Sequence, residues 1–228
     1  MIAILGAMVE EIEPLLEIFG EYKIVEYAGN RYYLTSYKGE KLVVAYSKIG
    51  KVFASLSATV MIEKFGAKKL LFSGVAGAIN SDLKIGDLIV ATKLAQHDLD
   101  ITAFGHPFGY VPEGKVYVEA DTNLIEIAKS VAKDEGIKLK EGVIATGDQF
   151  VCDERRKEWI KKTFNADALE MEGASVAVVC DAFNVPFFVL RAISDSADMD
   201  AGFDFDEFLK SSAKESADFV VSMLDRMI

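Results

Sequence analysis

The chain contains little cysteine, proline and histidine. Its 228 residues include two Cys, four Pro and two His. Two cysteines, Cys152 and Cys180, are too few and too unpatterned for a disulfide framework or a zinc site, so we expect reduced thiols in or near the core. The two histidines, His97 and His106, lack a third spaced ligand, and we expect loop or interface residues there. No metal and no cofactor are therefore expected.

Positive charge is also scarce. The formal net charge of −11 would repel a phosphate backbone, and no basic stripe with interleaved aromatics is present. The apolar opening, residues 1–8, has no basic residues before it and runs directly into Glu10 and Glu11, unlike a signal peptide or a transmembrane segment. We expect a cytoplasmic protein that binds neither nucleic acid nor membrane.

The composition shows no boundary within the chain. Hydrophobic residues make up 51% and charged residues 27%, with no low-complexity tract, linker or internal repeat. A chain of this length can bury a large core and still enclose a pocket. We therefore predict one domain over residues 1–228.

Short apolar runs typical of buried strands alternate with segments of helical periodicity. Strands are predicted at 2–5, 23–27, 31–37, 41–46, 69–75, 88–94, 142–146, 168–170 and 186–193. Helices are predicted at 12–19, 51–65, 123–135, 153–163, 172–183 and 205–227, the last behind Asp204 as N-cap. The second to fourth strands read as an antiparallel meander. This order predicts an α/β domain of three layers, with helices on both faces of a central mixed sheet.

Four predicted strand ends finish in small or acidic residues, where a plain core strand would finish in a turn. They are residues 6–11, 73–77, 170–173 and 191–195. Because ligands collect at the carboxyl ends of strands in such sheets, we expect the four segments to face one crevice. Glycines let a backbone approach a ligand closely, and carboxylates can move protons or bind hydroxyls.

Each segment also has a structural interpretation. Glu10 and Glu11 complement the dipole of a helix start. Residues 73–77 form a glycine-rich turn that is too short for a P-loop and lacks its lysine. Asp195 could be a helix N-cap.

Glu170 and Glu172 alternate at the end of one predicted strand. A partly buried carboxylate is costly without a partner, so we expect at least one of them to contact Arg191 or a ligand hydroxyl.

Taken together, these segments resemble the methylthioadenosine/S-adenosylhomocysteine nucleosidases, members of the nucleoside phosphorylase superfamily. The matching segments span essentially the whole chain in order: 6–8 with Glu11, 48–51, 100–105, 147–150, 170–172, 189–195 and 205–208. Segments 45–51, 72–77 and 147–150 look most like the Helicobacter and Campylobacter branch. Enzymes of that branch also cleave 6-amino-6-deoxyfutalosine in menaquinone biosynthesis.

The resemblance implies hydrolysis of the N-glycosidic bond of adenine nucleosides with a modified 5′ position. Asp195, supported by Ser194, would protonate or hydrogen-bond purine N7. Glu11 would hold and activate the attacking water, with Arg191 close by. Such cleavage passes through an oxocarbenium-like sugar, so carboxylates near the developing cation suit the chemistry.

The remaining roles implied by the resemblance concern substrate binding. Glu172 would bind ribose hydroxyls, with Met171 under the sugar. Phe150 would stack on adenine and, with Val151, offer backbone hydrogen bonds to its edge. The 5′ pocket and the second glycine segment would contribute Met8, Ile49, Phe205, Val75, Ala76 and Gly77. A homodimer is implied, in which the neighbouring subunit lends Ile101, Phe104 and Pro112.

One position departs from the family pattern. Many relatives have Ser or Thr where this chain has Val75, which removes a hydroxyl that could help hold the water. We therefore expect water positioning to depend more on Glu11 and Arg191.

Two other functions remain open. A nucleoside phosphorylase needs cationic donors for phosphate, but only Arg191 of the five arginines lies in a candidate segment, and Glu11 stands nearby. A non-catalytic nucleoside-binding protein would keep Phe150 but would not need both Glu11 and Asp195.

The sequence does not rank the possible substrates. A mostly apolar 5′ pocket could accept methylthioadenosine, S-adenosylhomocysteine, 5′-deoxyadenosine and aminodeoxyfutalosine alike.

Overall fold

The computed structural model describes residues 1–197 and 201–228. The strands in these residues are β1 (Ile2–Gly6), β2 (Lys23–Tyr27), β3 (Asn30–Tyr37), β4 (Glu40–Tyr46), β5 (Lys69–Ala78), β6 (Leu88–Gln96), β7 (Tyr117–Glu119), β8 (Leu139–Thr146), β9 (Ala168–Glu170) and β10 (Phe187–Asp195). The helices are α1 (Val9–Phe19), α2 (Lys51–Glu63), α3 (Thr122–Glu135), α4 (Glu154–Phe164), α5 (Gly173–Phe183) and α6 (Ala201–Met227). A single 3-10 turn covers Thr102–Phe104.

One half of the sheet is an extension built on β1. The strands β2, β3 and β4 pair antiparallel in sequence, which confirms the predicted meander. The fourth strand then pairs parallel with β1, and β1 pairs parallel with the first half of β5, from Lys69 to Phe72. Beyond Phe72, β5 extends past β1, so the residues that follow β1 lie beside the second half of β5.

The other half of the sheet closes on itself. The last strand, β10, pairs parallel with β5 on one side and antiparallel with β6 on the other. The circuit continues from β6 to β8 and β9, and β9 returns to β5 at Gly77 and Ala78. Closure brings the carboxyl ends of β5 and β10 beside the end of β9.

Helices cover both faces of the sheet, as predicted for a three-layer domain. On one side, α6 packs against β5 and β10 and contacts α1 and α3. On the other side, α2 packs against α5, which contacts β6 and β8. The fully buried strands β1, β5 and β10 form the centre of the core. Each helix in the described ranges is too short or too polar to span a bilayer.

Three details of the sequence prediction are wrong. The last helix begins at Ala201, so position 204 lies inside it and is not the N-cap. Residues 198–200, just before this helix, lie outside the described residues. The short strand β7 has too few residues for a detectable period. Cys180 is buried as expected, but Cys152 is exposed because the chain leaves the core after Gly147.

Candidate active site

A cavity of about 310 Å³ lies at the carboxyl ends of β1, β5, β9 and β10. The four segments predicted to face one crevice all contribute to it, which confirms that prediction. The predicted site residues that line it are Met8, Glu11, Ile49, Val75, Ala76, Gly77, Phe150, Val151, Met171, Glu172, Ser194, Asp195 and Phe205. This volume is at the lower end of the range for small-molecule sites.

The Glu11 carboxylate connects the end of β1 to the middle of β5. Its Oε2 accepts the backbone N–H groups of Ala7 at 2.5 Å and Met8 at 3.0 Å, and its Oε1 accepts that of Val75 at 3.0 Å. Burial raises the pKa of Glu11 above its ordinary value, although the Arg191 charge and these N–H groups partly offset the effect. Glu11 is therefore a buried carboxylate fixed at the cavity wall, and the helix dipole alone does not explain its position.

Two glycines of β5 leave room for the carboxylates of the cavity. A Cβ added at Gly74 would overlap the carboxylate of Glu11. A Cβ added at Gly77 would lie 2.6 Å from Oδ1 of Asp195. Any larger residue at either position would displace an acidic side chain. The packing of Glu11 and Asp195 therefore requires glycine at both positions.

Asp195 ends β10 with its carboxylate held at both oxygens. The Ser194 hydroxyl donates to Oδ2 at 2.9 Å, and the N–H of Ala197 donates to Oδ1 at 2.8 Å. Ser196 and Ala197 are not helical, so the N–H that Asp195 accepts belongs to a bend and not to a helix start. The helix N-cap interpretation is therefore wrong, and the carboxylate lines the cavity.

Arg191 forms a buried ion pair with Glu170. Its NH2 group donates to Oε2 of Glu170 at 2.7 Å, and its NH1 group donates to the carbonyls of Leu190 and Phe72. This confirms that one of the two strand-end glutamates contacts Arg191. The arginine itself was expected among the substrate-binding residues, but it does not line the cavity, because Glu170 lies between them and occupies its guanidinium.

Glu172 is the other strand-end glutamate and faces the cavity. Its Oε1 accepts the N–H of Gly50 at 2.8 Å. Burial and the negative charge of Glu170 raise the pKa of Glu172 to about 8. The raised pKa favours the neutral, protonated carboxyl group, which can both donate to and accept from a hydroxyl group.

Aromatic side chains form the outer wall. The rings of Phe150 and Phe205 meet edge to face, with centroids 5.7 Å apart and an interplanar angle of 78°. Phe150 is 48% exposed, so one face of its ring is open to a planar ligand. Ile49, Met8 and Met171 add apolar surface to the cavity lining.

The cavity also has lining residues that the sequence did not identify. These are Ala7, Gln149, Leu169, Glu170 and Ala197. Three of them lie within a predicted segment, and Leu169 and Ala197 lie within two residues of one, so widening each segment by two residues would have included all five. Leu169 is an apolar strand residue without a chemical signal, and only the pairing of β9 with β5 places it at the wall.

The loop that carries Ile101, Phe104 and Pro112 does not line the cavity of its own chain. Part of it folds back, since the Phe108 ring packs edge to face on Trp159 with centroids 5.0 Å apart, and Tyr110 stacks on His106. Phe104 is 81% exposed. The Phe108 ring therefore packs on the core of its own chain, whereas Phe104 stays open to water.

Known proteins resemble this chain over nearly its full length. The model of the Phosphorylase superfamily matches residues 1–225. An aminodeoxyfutalosine nucleosidase of Campylobacter jejuni is 61% identical over 226 residues, covering 99% of both chains. The solved native structure of futalosine hydrolase from Helicobacter pylori strain 26695 is 53% identical with a TM-score of 0.98, covering 99% of this chain and 97% of that one.

A further Helicobacter pylori structure was solved with a ligand. It is a 5′-methylthioadenosine/S-adenosylhomocysteine nucleosidase with butyl-thio-DADMe-Immucillin-A, 54% identical with a TM-score of 0.98, covering 99% of this chain and 97% of that one. These matches confirm the resemblance inferred from the ordered segments and the fold that it implies.

Proposed function

Since this chain belongs to the phosphorylase superfamily, we propose that it is a nucleosidase that hydrolyses the N-glycosidic bond of 5′-modified adenine nucleosides. The products are adenine and a free sugar. The substrates are methylthioadenosine, S-adenosylhomocysteine, 5′-deoxyadenosine and 6-amino-6-deoxyfutalosine. The activities by which the Campylobacter and Helicobacter relatives are named support this substrate class.

The observation that carries hydrolysis over phosphorolysis is that the part of the cavity lining that the structure describes holds no cationic side chain. Among the described residues, no arginine, lysine or histidine lines it, whereas Glu11, Glu172 and Asp195 do. Arg191, whose charge acts on Glu11 and Glu172 from outside the cavity, is already paired with Glu170. A phosphate dianion would therefore enter a buried acidic site without a cationic partner, whereas a neutral water molecule meets no such conflict.

At the purine end, Asp195 is the general acid. As the N-glycosidic bond breaks, electrons move into the purine, and proton donation to N7 stabilises the leaving group. The hydrogen bonds from Ser194 and Ala197 hold the carboxyl group in one orientation. Phe150 stacks on the base, and the backbone groups of Phe150 and Val151 bind its edge.

At the sugar end, Glu11 holds and activates water. The sugar becomes cationic in the transition state, so a carboxylate beside it is stabilising, and the same carboxylate takes the proton from the attacking water. The Glu11 carboxylate accepts hydrogen bonds from two backbone N–H groups just after β1 and from that of Val75 in β5. These three hydrogen bonds fix its position. Glu172 binds the ribose hydroxyls above Met171, and Met8, Ile49 and Phe205 surround the 5′ substituent.

The same proposal includes a homodimer and a cytoplasmic location. The 81% exposed ring of Phe104 supports the dimer, because an aromatic ring so open to water is unfavourable in an isolated chain. In the dimer, Ile101, Phe104 and Pro112 complete the 5′ pocket of the neighbouring subunit. The enzyme then serves methionine salvage and menaquinone biosynthesis.

The test is incubation with each nucleoside, with and without phosphate, and identification of the sugar product by mass. We expect adenine and free sugar in both conditions. Sugar 1-phosphate formed only with phosphate would identify a phosphorylase. Binding of the nucleosides without release of adenine would identify a binding protein.

A further inference from the structure

Three charged residues outside the cavity connect the segments that carry its base end and its sugar end. Asp98 accepts a hydrogen bond from Lys51 Nζ through Oδ1 at 2.7 Å, and one from the N–H of Asp148 through Oδ2 at 2.8 Å. Asp148 in turn accepts the N–H of Lys51 through Oδ1 at 2.8 Å. The three residues thus form a closed Lys51–Asp98–Asp148 cluster.

This cluster is more than a surface ion pair. The side chains of Lys51 and Asp98 are only 18% and 16% exposed, and Lys51 Nζ also donates to Gln96 Oε1 at 3.1 Å. Burial raises the pKa of Asp98, but the hydrogen bonds from Lys51 and the Asp148 amide outweigh it and hold the pKa below its ordinary value. Asp98 is therefore ionised, and its two carboxylate oxygens accept hydrogen bonds from two different donors.

Two members of the cluster, Lys51 and Asp148, lie within two residues of the cavity lining along the chain. Asp148 is two residues before Phe150, in an irregular segment that has no strand or helix to hold it. Lys51 begins α2 and directly follows Gly50, whose N–H binds Glu172. Asp98 follows the end of β6 and connects the two segments a second time, in addition to the direct hydrogen bond between Lys51 and Asp148.

The segment before Phe150 is held at a second point by the residue beside Asp98. The ring of His97 occupies the space that a side chain at Gly147 would need. His97 is itself held by Arg156, whose NH2 group donates to the His97 carbonyl at 3.2 Å. Residues 97 and 98 together therefore fix both Gly147 and Asp148.

We propose that Asp98 is a positioning residue, which sets the orientation of the Phe150 segment for base binding through the Lys51–Asp98–Asp148 cluster. Asp98 does not line the cavity, so it acts only through Asp148 and Lys51. The inference rests on the proposed function, because it assigns the base to Phe150. Loss of this constraint leaves the fold intact and lets the base-binding segment move.

The decisive variant is Asp98→Asn. An asparagine of the same shape has one acceptor oxygen, so its NH2 group must face either the Lys51 ammonium or the Asp148 N–H. The matched control is Asp87→Asn at the opposite end of β6. Asp87 also accepts from one lysine, Lys138 at 2.7 Å, and from one backbone N–H, that of Lys84 at 3.1 Å.

The measurements are the Kd of free adenine by calorimetry, kcat/KM for methylthioadenosine and the thermal midpoint of each variant. We expect Asp98→Asn to weaken adenine binding and lower kcat/KM by about 10-fold or more, because small misplacements of binding groups are costly. Asp87→Asn should bind adenine like the wild type. Wild-type adenine binding in Asp98→Asn, or an equal loss in Asp87→Asn, overturns the proposal.

A second pair of variants applies if Asp98→Asn does not fold. Lys51→Met removes the ammonium but keeps the N–H that binds Asp148, and should weaken adenine binding; Lys51→Arg restores a donor and should recover it. Unchanged adenine binding in Lys51→Met overturns the proposal. A wild-type enzyme that fails to hydrolyse methylthioadenosine contradicts the proposed function instead, so the two failures are distinguishable.

Discussion

The carboxylate of Glu11 accepts the backbone N–H of Val75 at 3.0 Å, directly across Gly74. This hydrogen bond connects α1 to β5. It also places the carboxylate beside Val75, the position where many relatives have Ser or Thr. Val75 supplies no hydroxyl, yet its N–H still orients Glu11. The backbone thus provides a constraint that is independent of the side chain at this position.

Glu11→Gln should lower turnover by about 10² to 10⁴-fold, because an amide cannot take a proton from water and cannot accept at both ends. Steady-state kinetics with methylthioadenosine measures this. Glu10→Gln is the control, since it removes the same charge from the same helix start. If Glu11→Gln keeps high activity while binding weakens, Glu11 is a substrate anchor and another group activates the water.

Asp195→Asn should fold and still bind adenine nucleosides but lose about 10² to 10⁴-fold in turnover, because an amide can donate to N7 but cannot deliver a proton. Ligand binding by calorimetry and single-turnover kinetics separate the two effects. Ser194→Ala, which removes one hydrogen bond to the carboxyl group, should cost less. Near-normal turnover in Asp195→Asn would exclude Asp195 as the acid.

Stability should depend on pH through Glu172 and His97 with opposite signs. Glu172 keeps its proton to about pH 8 in the folded state, against 4.5 for a free glutamate, so stability falls as pH rises through this window. Burial lowers the pKa of His97 from 6.5 to about 4, so stability rises with pH between those values. The two slopes oppose each other up to pH 6.5; above it the rise due to His97 has ended, and the fall due to Glu172 continues.

We therefore expect the thermal midpoint of the ligand-free protein to fall between pH 6.5 and 8. Glu172→Gln should reduce this fall, because glutamine does not titrate. Glu11, whose pKa is also raised, retains part of the slope in that variant. Calorimetric scans at several pH values measure the effect, and an identical slope in wild type and Glu172→Gln would contradict it.

The exposed Phe104 ring should be buried in a homodimer. We expect sedimentation of a dimer at micromolar concentration, and Phe104→Ser should weaken the dimer and lower kcat/KM for methylthioadenosine. Binding of free adenine should be unaffected, because the base end is built within one chain. Phe183→Ser, at an exposed phenylalanine at the end of α5, is the control. A fully active monomer would argue against a shared 5′ pocket.

Discrimination should be weak at the 5′ substituent and strong at the base. An apolar pocket separates ligands by only about 1 to 3 kcal/mol per methylene-sized difference. An unpaired buried polar group at the base costs about 1 to 3 kcal/mol, so a 6-carbonyl purine should be a poor substrate. The comparison is kcat/KM for methylthioadenosine, aminodeoxyfutalosine and methylthioinosine. Equal values for the adenine and hypoxanthine pair would contradict base selection.

The sequence determined those features that depend on neighbouring residues. The periods of two and 3.6 placed nearly every strand and helix, and the turns at Gly29 and Gly39 predicted the meander of β2 to β4. The acidic and glycine-rich strand ends identified the walls of the cavity, because topology brings the carboxyl ends of such strands together. Three-residue β7 escaped detection because a period cannot be measured over so short a segment.

Only the tertiary structure decided which partner each buried charge would take. Arg191 pairs with Glu170 because β9 lies in the closed half of the sheet. Glu11 accepts the N–H of Val75 because β1 pairs with β5. Asp98 meets Lys51 and Asp148 across separations of 47 and 50 residues. Such contacts leave no periodic signal in the chain, because strand register and close packing determine them after the local elements have formed.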